Sequence, residues 1–159
     1  MNLKSRVAEA LQSLGSFLSQ PTTIDCTDGG QRLRCELAVL DSLACSFERL
    51  ELESAALATG GMDRLKQVAE NLSRRLTYLL EPISPVETDQ QQCVVQMRSN
   101  PPQKDEVGTS YYELLVQRGG RLSLRRWVKE AGQVRRTVAA HVTREVFLRL
   151  VADFSSAAA

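Results

Sequence analysis

The residues best suited to chemistry lie together in residues 116–136, whose sequence is VQRGGRLSLRRWVKEAGQVRR. The stretch contains one acid, Glu130, and the only tryptophan of the chain, Trp127. Its seven basic residues are Arg118, Arg121, Arg125, Arg126, Lys129, Arg135 and Arg136. Guanidinium groups beside an aromatic ring can hold single-stranded nucleic acid, and they are also typical of the centres of protein contacts. The stretch therefore fits either the ordinary solvated face of a sheet or a binding surface.

Charge is distributed unevenly along the chain, although the formal net charge is only +1. Residues 1–60 carry five basic and eight acidic side chains, whereas residues 111–159 carry nine basic and four acidic ones. The sequence pI near 7.7 and the aromatic content of 5% are nevertheless low for a nucleic-acid-binding domain. We therefore expect a protein partner, and we keep nucleic-acid binding by the basic 116–136 hairpin as an alternative.

Other reactive residue types are too scattered to predict a catalytic or metal site. His141 is the only histidine and lies among valine and alanine residues, so we expect a structural role for it. No two of the four cysteines form a CxxC pair. They are Cys26, Cys35, Cys45 and Cys93. The Gly-Gly pairs also lack the spacing of phosphate-binding loops. We expect no metal, no cofactor and no catalytic residue, with an enzyme of unrecognised site as a second alternative.

The elements that must position the basic stretch begin with an amphipathic helix, which Asn2 can cap and Pro21 terminates. This segment lacks the continuous apolar run of a signal peptide, and no run in the chain is long enough to cross a bilayer. We therefore expect a cytoplasmic protein that does not bind a membrane. Alternating apolar residues then predict three strands with one buried face. The inward residues are Leu33, Cys35, Leu37, Val39, Leu43, Cys45, Phe47, Leu50 and Leu52. The phase of this pattern shifts after Phe47, which predicts a β-bulge near Glu48-Arg49.

The second half of the chain repeats this order of helix and strands. A leucine stripe predicts a helix over residues 62–81, followed by a strand over 93–97 and a polar loop over 99–110. Residues 134–142 fit both a strand and a helix, and their β-branched residues favour a strand. Thr143 is expected to cap a last helix, after which residues 155–159 should be frayed.

The glycine pair at 119–120 predicts a β-hairpin whose register decides which side chains share a face. A two-residue loop would mix apolar and charged residues on both faces. A three-residue loop, 118–120, instead separates an apolar face from a polar face. Its pairs are Val116 with Leu122, Leu114 with Leu124, Tyr112 with Arg126, Tyr111 with Trp127, Glu113 with Arg125, and Gln117 with Arg121. We favour this register, in which Glu113 would neutralise Arg125.

Taken together, the pattern predicts one α+β domain over residues 1–159, with an antiparallel sheet of six to eight strands and three helices in the order α-βββ-α-ββββ-α. A loose duplication of residues 1–60 and 61–142 is conceivable from this order. The order is similar to that of small type III secretion chaperones, and this resemblance implies a dimeric module that holds segments of a client protein. We expect a non-enzymatic interaction or adaptor module, self-associating as a homodimer. Its contact residues would be Tyr111, Arg121, Arg125, Trp127 and Lys129.

Overall fold

An antiparallel sheet frames the fold in the computed structural model, which describes residues 2–18 and 20–159. The strands are β1 (Thr22–Asp28), β2 (Gln31–Leu40), β3 (Ala44–Ser54), β4 (Ile83–Asp89), β5 (Val94–Ser99), β6 (Gln103–Lys104), β7 (Gly108–Gln117), β8 (Arg121–Glu130), β9 (Arg136–Val138) and β10 (Ala140–Thr143). The helices are α1 (Leu3–Ser13), α2 (Ala55–Ala58), α3 (Met62–Arg75) and α4 (Arg144–Ala157). The α+β class is therefore as expected. The described residues contain ten strands and four helices, more than predicted, because several elements such as β6 and α2 are very short.

The sheet is open and runs in the order β1-β2-β3-β8-β7-β5-β4. Its centre contains a split. Residues 50–53 of β3 pair directly with residues 121–124 of β8, but the two strands then separate. Beyond this point β10 pairs with residues 44–47 of β3, and β9 pairs with residues 126–128 of β8. The segment from 136 to 143 therefore fills the gap between the two strands.

The two faces of the sheet differ in what covers them. All four helices contribute buried side chains to a core that lies on one face, where Leu52, Leu122 and Val116 are fully buried. Burial of apolar side chains against the helices, about 2 kcal/mol for each leucine, is the main stabilising term of this layer. The opposite face carries polar side chains, among them the exposed Arg34 and Glu36. This second, helix-free side of the sheet is called the open face below.

The predicted hairpin register is confirmed. Val116 pairs with Leu122 and Tyr111 pairs with Trp127, which leaves the three-residue loop 118–120. The φ angle of Gly120 is +78°, a backbone conformation that residues with a side chain adopt only at an energetic cost. In this register Leu114 and Leu124 are directed into the core, whereas Trp127 and its neighbours on alternate positions are directed to the open face.

The predicted β-bulge is also confirmed. Glu36 of β2 pairs with Arg49, and the next residue, Leu37, pairs with Phe47, so Glu48 is the extra residue. Phe47 and Leu50 are consequently both buried in the core. A second irregularity, which the alternation did not predict, lies at Ala38. It turns Val39 outward, so Val39 is 49% exposed instead of buried.

Helix caps and the ambiguous segment follow the prediction. Asn2 accepts a hydrogen bond from the backbone N–H of Ser5 (2.9 Å), and Thr143 accepts one from Val146 (3.0 Å). Residues 136–138 and 140–143 are strands and not helix. None of the helices among the described residues is long and apolar enough to cross a membrane.

Several predicted boundaries are wrong. Helix α3 ends at Arg75 and not at 81, because Leu76 leaves the helical conformation (ψ +67°) and the chain turns back into β4, which the sequence did not predict. Leu80 then lies outside the stripe and is 96% exposed. Leu43, expected in the core, is 78% exposed, because the turn that Asp41 caps ends just before β3 begins.

The C-terminal tail, for which the sequence predicts fraying, forms the end of helix α4. Helix α4 continues through Ala157, and Ala158 is fully buried. The carbonyl of Ala158 accepts a hydrogen bond from the hydroxyl of Ser54 (2.6 Å), and the carbonyl of Ala159 accepts one from Arg64 (2.9 Å). The small alanine side chains fit where the end of β3 approaches the helices, which composition alone did not indicate.

The hairpin glycines offer a matched test of this register. A Cβ on Gly120 would overlap the carbonyl oxygen of Ser54 and lie 2.8 Å from the nitrogen of Ala58, whereas a Cβ on Gly119 (φ +87°) would meet nothing. We predict that Gly119→Ala lowers the free energy of unfolding by about 1 kcal/mol through backbone strain alone. Gly120→Ala should lower it by about 3 kcal/mol, because overlap is added to strain. Urea denaturation of both variants measures the difference, and equal losses would contradict the close approach to β3.

Candidate functional site

The structure brings four of the five predicted contact residues to one surface. Tyr111, Arg121, Arg125 and Trp127 occupy alternate positions of β7 and β8, on the open face. We call the surface formed by these four residues and Glu113 the hairpin face. Lys129 follows in the same alternation, but its ammonium group donates to the backbone carbonyls of Glu130 (3.0 Å) and Gln133. Lys129 is thus used to hold the turn after β8.

Trp127 is half-buried on the open face and does not enter the core. The guanidinium carbon of Arg135 lies 3.9 Å from the centroid of its ring, a cation–π contact. Within the described residues the indole Nε1 has no hydrogen-bond partner. One side of the ring is therefore covered by Arg135, a residue that the sequence placed in the basic stretch but not among the contact residues.

Glu113 lies at the centre of a hydrogen-bonded cluster and is only 6% exposed. Its carboxylate accepts hydrogen bonds from Arg135 (2.9 Å) and Gln96 (2.8 Å), and Arg98 lies 3.4 Å away. Glu113 is opposite Arg125 in the register, as predicted, but it does not neutralise Arg125. The expectation is wrong because the carboxylate pairs instead with Arg98 of β5 and with Arg135 of the segment after β8.

The pKa of Glu113 reflects this competition between burial and pairing. Burial by itself would raise the pKa of the carboxyl group, because it disfavours the charged form. The hydrogen bonds from Arg135 and Gln96, together with the charges of Arg135 and Arg98, outweigh burial and hold the pKa below its ordinary value. Glu113 is therefore ionised at neutral pH and fixes two arginines on the open face.

Acids of β3 neutralise the other end of the hairpin face. Arg121 lies 3.6 Å from Glu51 and 3.3 Å from Glu53, and Glu51 also forms an ion pair with Arg49. These carboxylates belong to the acidic N-terminal part of the chain, which sheet order places beside the basic hairpin. The excess of positive charge in the sequence is thus largely cancelled in space.

Arg125 is the exception on the hairpin face. Among the described residues no carboxylate lies within 4 Å of its guanidinium group, although Arg49, Arg121 and Arg135 all have such partners. Arg125 lines a cavity of about 270 Å³ on the open face. The other lining residues are Arg49, Glu113, Leu115, Gln117, Ser123, Trp127 and Arg135. The cavity joins one unneutralised cation, an indole ring and an aliphatic side chain.

The remaining cations of the basic stretch do not extend this surface. Arg126 is directed to the opposite side of the sheet, where it forms a largely buried ion pair with Glu81 (2.8 Å) and stacks 4.6 Å above the ring of Tyr112. Arg136 forms an exposed ion pair with Glu130 (3.2 Å), and Arg118 lies in the exposed hairpin loop. The seven cations are therefore divided between two faces and a loop.

The other candidate groups do not assemble a reactive site. His141 shares a hydrogen bond of 2.5 Å with Ser46 on the neighbouring strand, a cross-strand pair that suits a structural role. The cysteines are free thiols, and burial raises the pKa of Cys45 to about 12, which opposes formation of the nucleophilic thiolate. In the part of the chain that the structure describes, no group of three or more histidine, cysteine or acidic residues could hold a metal ion.

Comparison with known proteins identifies no relative: no protein-family profile matches this sequence, and no curated protein and no solved structure matches the chain. The resemblance to secretion chaperones in element order is therefore not confirmed, and the open sheet is described by its own geometry alone.

Glu113 gives a pH-dependent test of the cluster. Its pKa is lower in the folded protein than in the unfolded chain, so ionised Glu113 stabilises the fold above the ordinary value of 4.5, and this stabilisation is lost as the pH falls through the folded pKa. We predict that Glu113→Gln lowers the free energy of unfolding by about 1–3 kcal/mol at pH 7, and by less as the pH falls through the folded pKa of Glu113. Urea denaturation between pH 3 and pH 7 measures the difference, with the exposed loop residue Glu106→Gln as control. A loss that does not change with pH would contradict the prediction.

Arg126 and Arg121 of β8 allow a comparison between a largely buried cation and a surface cation. Arg126 and Glu81 are 12% and 11% exposed, so removing the guanidinium leaves an uncompensated buried carboxylate. We predict that Arg126→Ala lowers the free energy of unfolding by about 3–5 kcal/mol. Arg121→Ala breaks an exposed pair with Glu53, and the buried Glu51 keeps Arg49 as its partner, so this change should cost about 1 kcal/mol or less. Chemical denaturation of both variants tests this, and a larger loss for Arg121→Ala would refute the assignment.

Proposed function

We propose that this protein is a non-enzymatic interaction module that binds a protein partner through the hairpin face. The observation that carries the proposal is the juxtaposition of Trp127 and the unneutralised Arg125 at a cavity on a sheet face that no described helix covers. Tryptophan and arginine are the residue types that most often dominate binding energy in protein contacts. The ion pairs around them form the polar rim that such contacts have.

The open face is large enough for a specific contact. Seven strands follow one another in the main order of the sheet, and at about 4.8 Å for each strand they span roughly 30 Å. The ten-residue strands β7 and β8 are about 33 Å long at 3.3 Å per residue. The resulting area of about 1,000 Å² exceeds the ~800 Å² that one partner of a standard protein complex buries.

Nucleic-acid binding by the 116–136 hairpin remains the alternative, and the charge arrangement weighs against it. A groove that follows a phosphate backbone needs a row of unpaired cations. Arg121 and Arg135 are paired with carboxylates on the open face, and Arg126 lies on the other side of the sheet. A row of free cations is therefore absent from the described part of the hairpin face.

An enzymatic role is the second alternative. An enzyme would need His141 or several carboxylates gathered in a pocket. His141 does line a cavity of about 280 Å³ beside Tyr78 and Tyr112, but its Nδ1 is bonded to Ser46 and no described carboxylate lines that cavity. The adaptor-like role includes self-association as a homodimer, for which the same uncovered sheet face offers a surface. A cytoplasmic location is part of the proposal, since the four free thiols are compatible with a reducing compartment.

A charge-matched pair of variants tests the docking role. We predict that Trp127→Ala combined with Arg125→Glu abolishes retention of the partner by the immobilised protein, because the change removes the aromatic contact and reverses the unneutralised charge. Arg118→Glu, in the hairpin loop, changes the net charge by the same amount per arginine and should retain the partner. Retained proteins are quantified by mass spectrometry, and light scattering of the same samples reports self-association.

Two results would count against the proposal. Retention of the same proteins by the double variant, with a circular dichroism spectrum like that of wild type, would remove the hairpin face as the contact. Binding of single-stranded RNA at low salt that Arg118→Glu weakens as much as Arg125→Glu, and that falls steeply with added salt, would favour the nucleic-acid alternative.

A further inference from the structure

We infer that the cavity beside Arg125 binds a carboxylate side chain that an acidic segment of the partner supplies. This inference rests on the proposed docking role and names the chemistry that the partner must present. It follows from the register of the sheet, the charges around the cavity and the nature of its walls.

The split between β3 and β8 places two arginines beside one cavity. Leu50 and Leu124 are the last directly paired residues before the two strands separate. The next residues on the side where the strands separate, Arg49 of β3 and Arg125 of β8, line the same cavity. Two arginine side chains thus border one partly enclosed space, in which a charge is screened less than in open water.

The acids of the described residues neutralise the neighbours of Arg125 but not Arg125 itself. Glu51 is shared between Arg49 and Arg121, and Glu113 is held by Arg135, Gln96 and Arg98. The cavity lining contains three arginines and one carboxylate, and Arg125 is the one of these arginines that has no carboxylate partner among the described residues. A ligand with one negative charge would complete the pairing.

Carboxylate is the anion that fits these surroundings. The planar guanidinium group binds a carboxylate through two parallel hydrogen bonds. Arg135 already donates one hydrogen bond to the carboxylate of Glu113 beside Trp127, at 2.9 Å, so the same face holds one contact between an arginine and a carboxylate. The indole of Trp127 and the side chain of Leu115 supply apolar walls. An acidic residue next to an apolar residue therefore fits better than a phosphate chain, which would meet paired cations beyond the cavity.

The single tryptophan makes the site directly observable, since Trp127 lines the cavity. The probe is a capped peptide with the central sequence Leu-Glu-Leu, and its control replaces the glutamate by glutamine. We expect saturable change of the tryptophan fluorescence with the glutamate peptide and at least about 10-fold weaker binding of the glutamine peptide. Arg125→Gln should weaken binding of the glutamate peptide about 10-fold or more, whereas Arg118→Gln should leave it unchanged. Equal denaturation midpoints of the two variants and the wild type would exclude unfolding as the cause of weaker binding.

Several outcomes would overturn the carboxylate site. Equal affinity for both peptides, or binding that does not change in Arg125→Gln, would do so. Tighter Arg125-dependent binding of inorganic phosphate or of a short single-stranded RNA would assign the cavity to phosphate. Loss of the partner in the Trp127→Ala/Arg125→Glu variant, with no preference for the glutamate peptide, would refute this inference and keep the docking role. Peptide binding as expected, with full retention of the partner by that variant, would keep the site and refute the docking role.

Discussion

The arrangement of the whole open face depends on how the loop 118–120 meets the end of β3. Gly120 has a positive φ angle and lies against the backbone of Ser54 and Ala58, and its carbonyl accepts a hydrogen bond from the N–H of Ser54 (2.8 Å). The absence of a side chain permits this contact, which locks the hairpin to its neighbour strand. A shift by one residue would exchange the two faces of β8 and bury guanidinium groups against the helices.

That register also explains why a basic stretch of sequence does not make a basic surface. Because successive side chains of β8 lie on opposite faces, Arg126 lies on the core side and pairs with Glu81. Arg121 lies on the open face and pairs with Glu51 and Glu53. Neutralisation on the open face comes from a strand that is far away in sequence and adjacent in space. The net charge of a segment is therefore a poor guide to the charge of the surface to which it contributes.

The features that local sequence could predict are those set by neighbouring residues. The hairpin register, the bulge at Glu48 and the helix caps follow from alternation, glycine position and capping chemistry within a few residues. The pairing of Glu113 with Arg135 and Arg98 could not be predicted, because it depends on strand order and on the return of the chain after β8. The same is true of the cavity, which exists because β3 and β8 separate. The end of α3 was missed because the leucine stripe continues after the helix has ended.

The paired charges around the cavity have a consequence for selectivity. A partner's carboxylate that approaches Arg121 or Arg135 must displace an acid already bound there, and the desolvation of both groups cancels much of the gain. At Arg125 the same carboxylate displaces no described acid and pairs with a guanidinium group that lacks a carboxylate partner. The charges on this face therefore favour a partner's carboxylate at Arg125 alone, and they do not attract acidic surfaces in general. The apolar walls at Trp127 and Leu115 then distinguish a carboxylate on an apolar segment from a freely soluble anion.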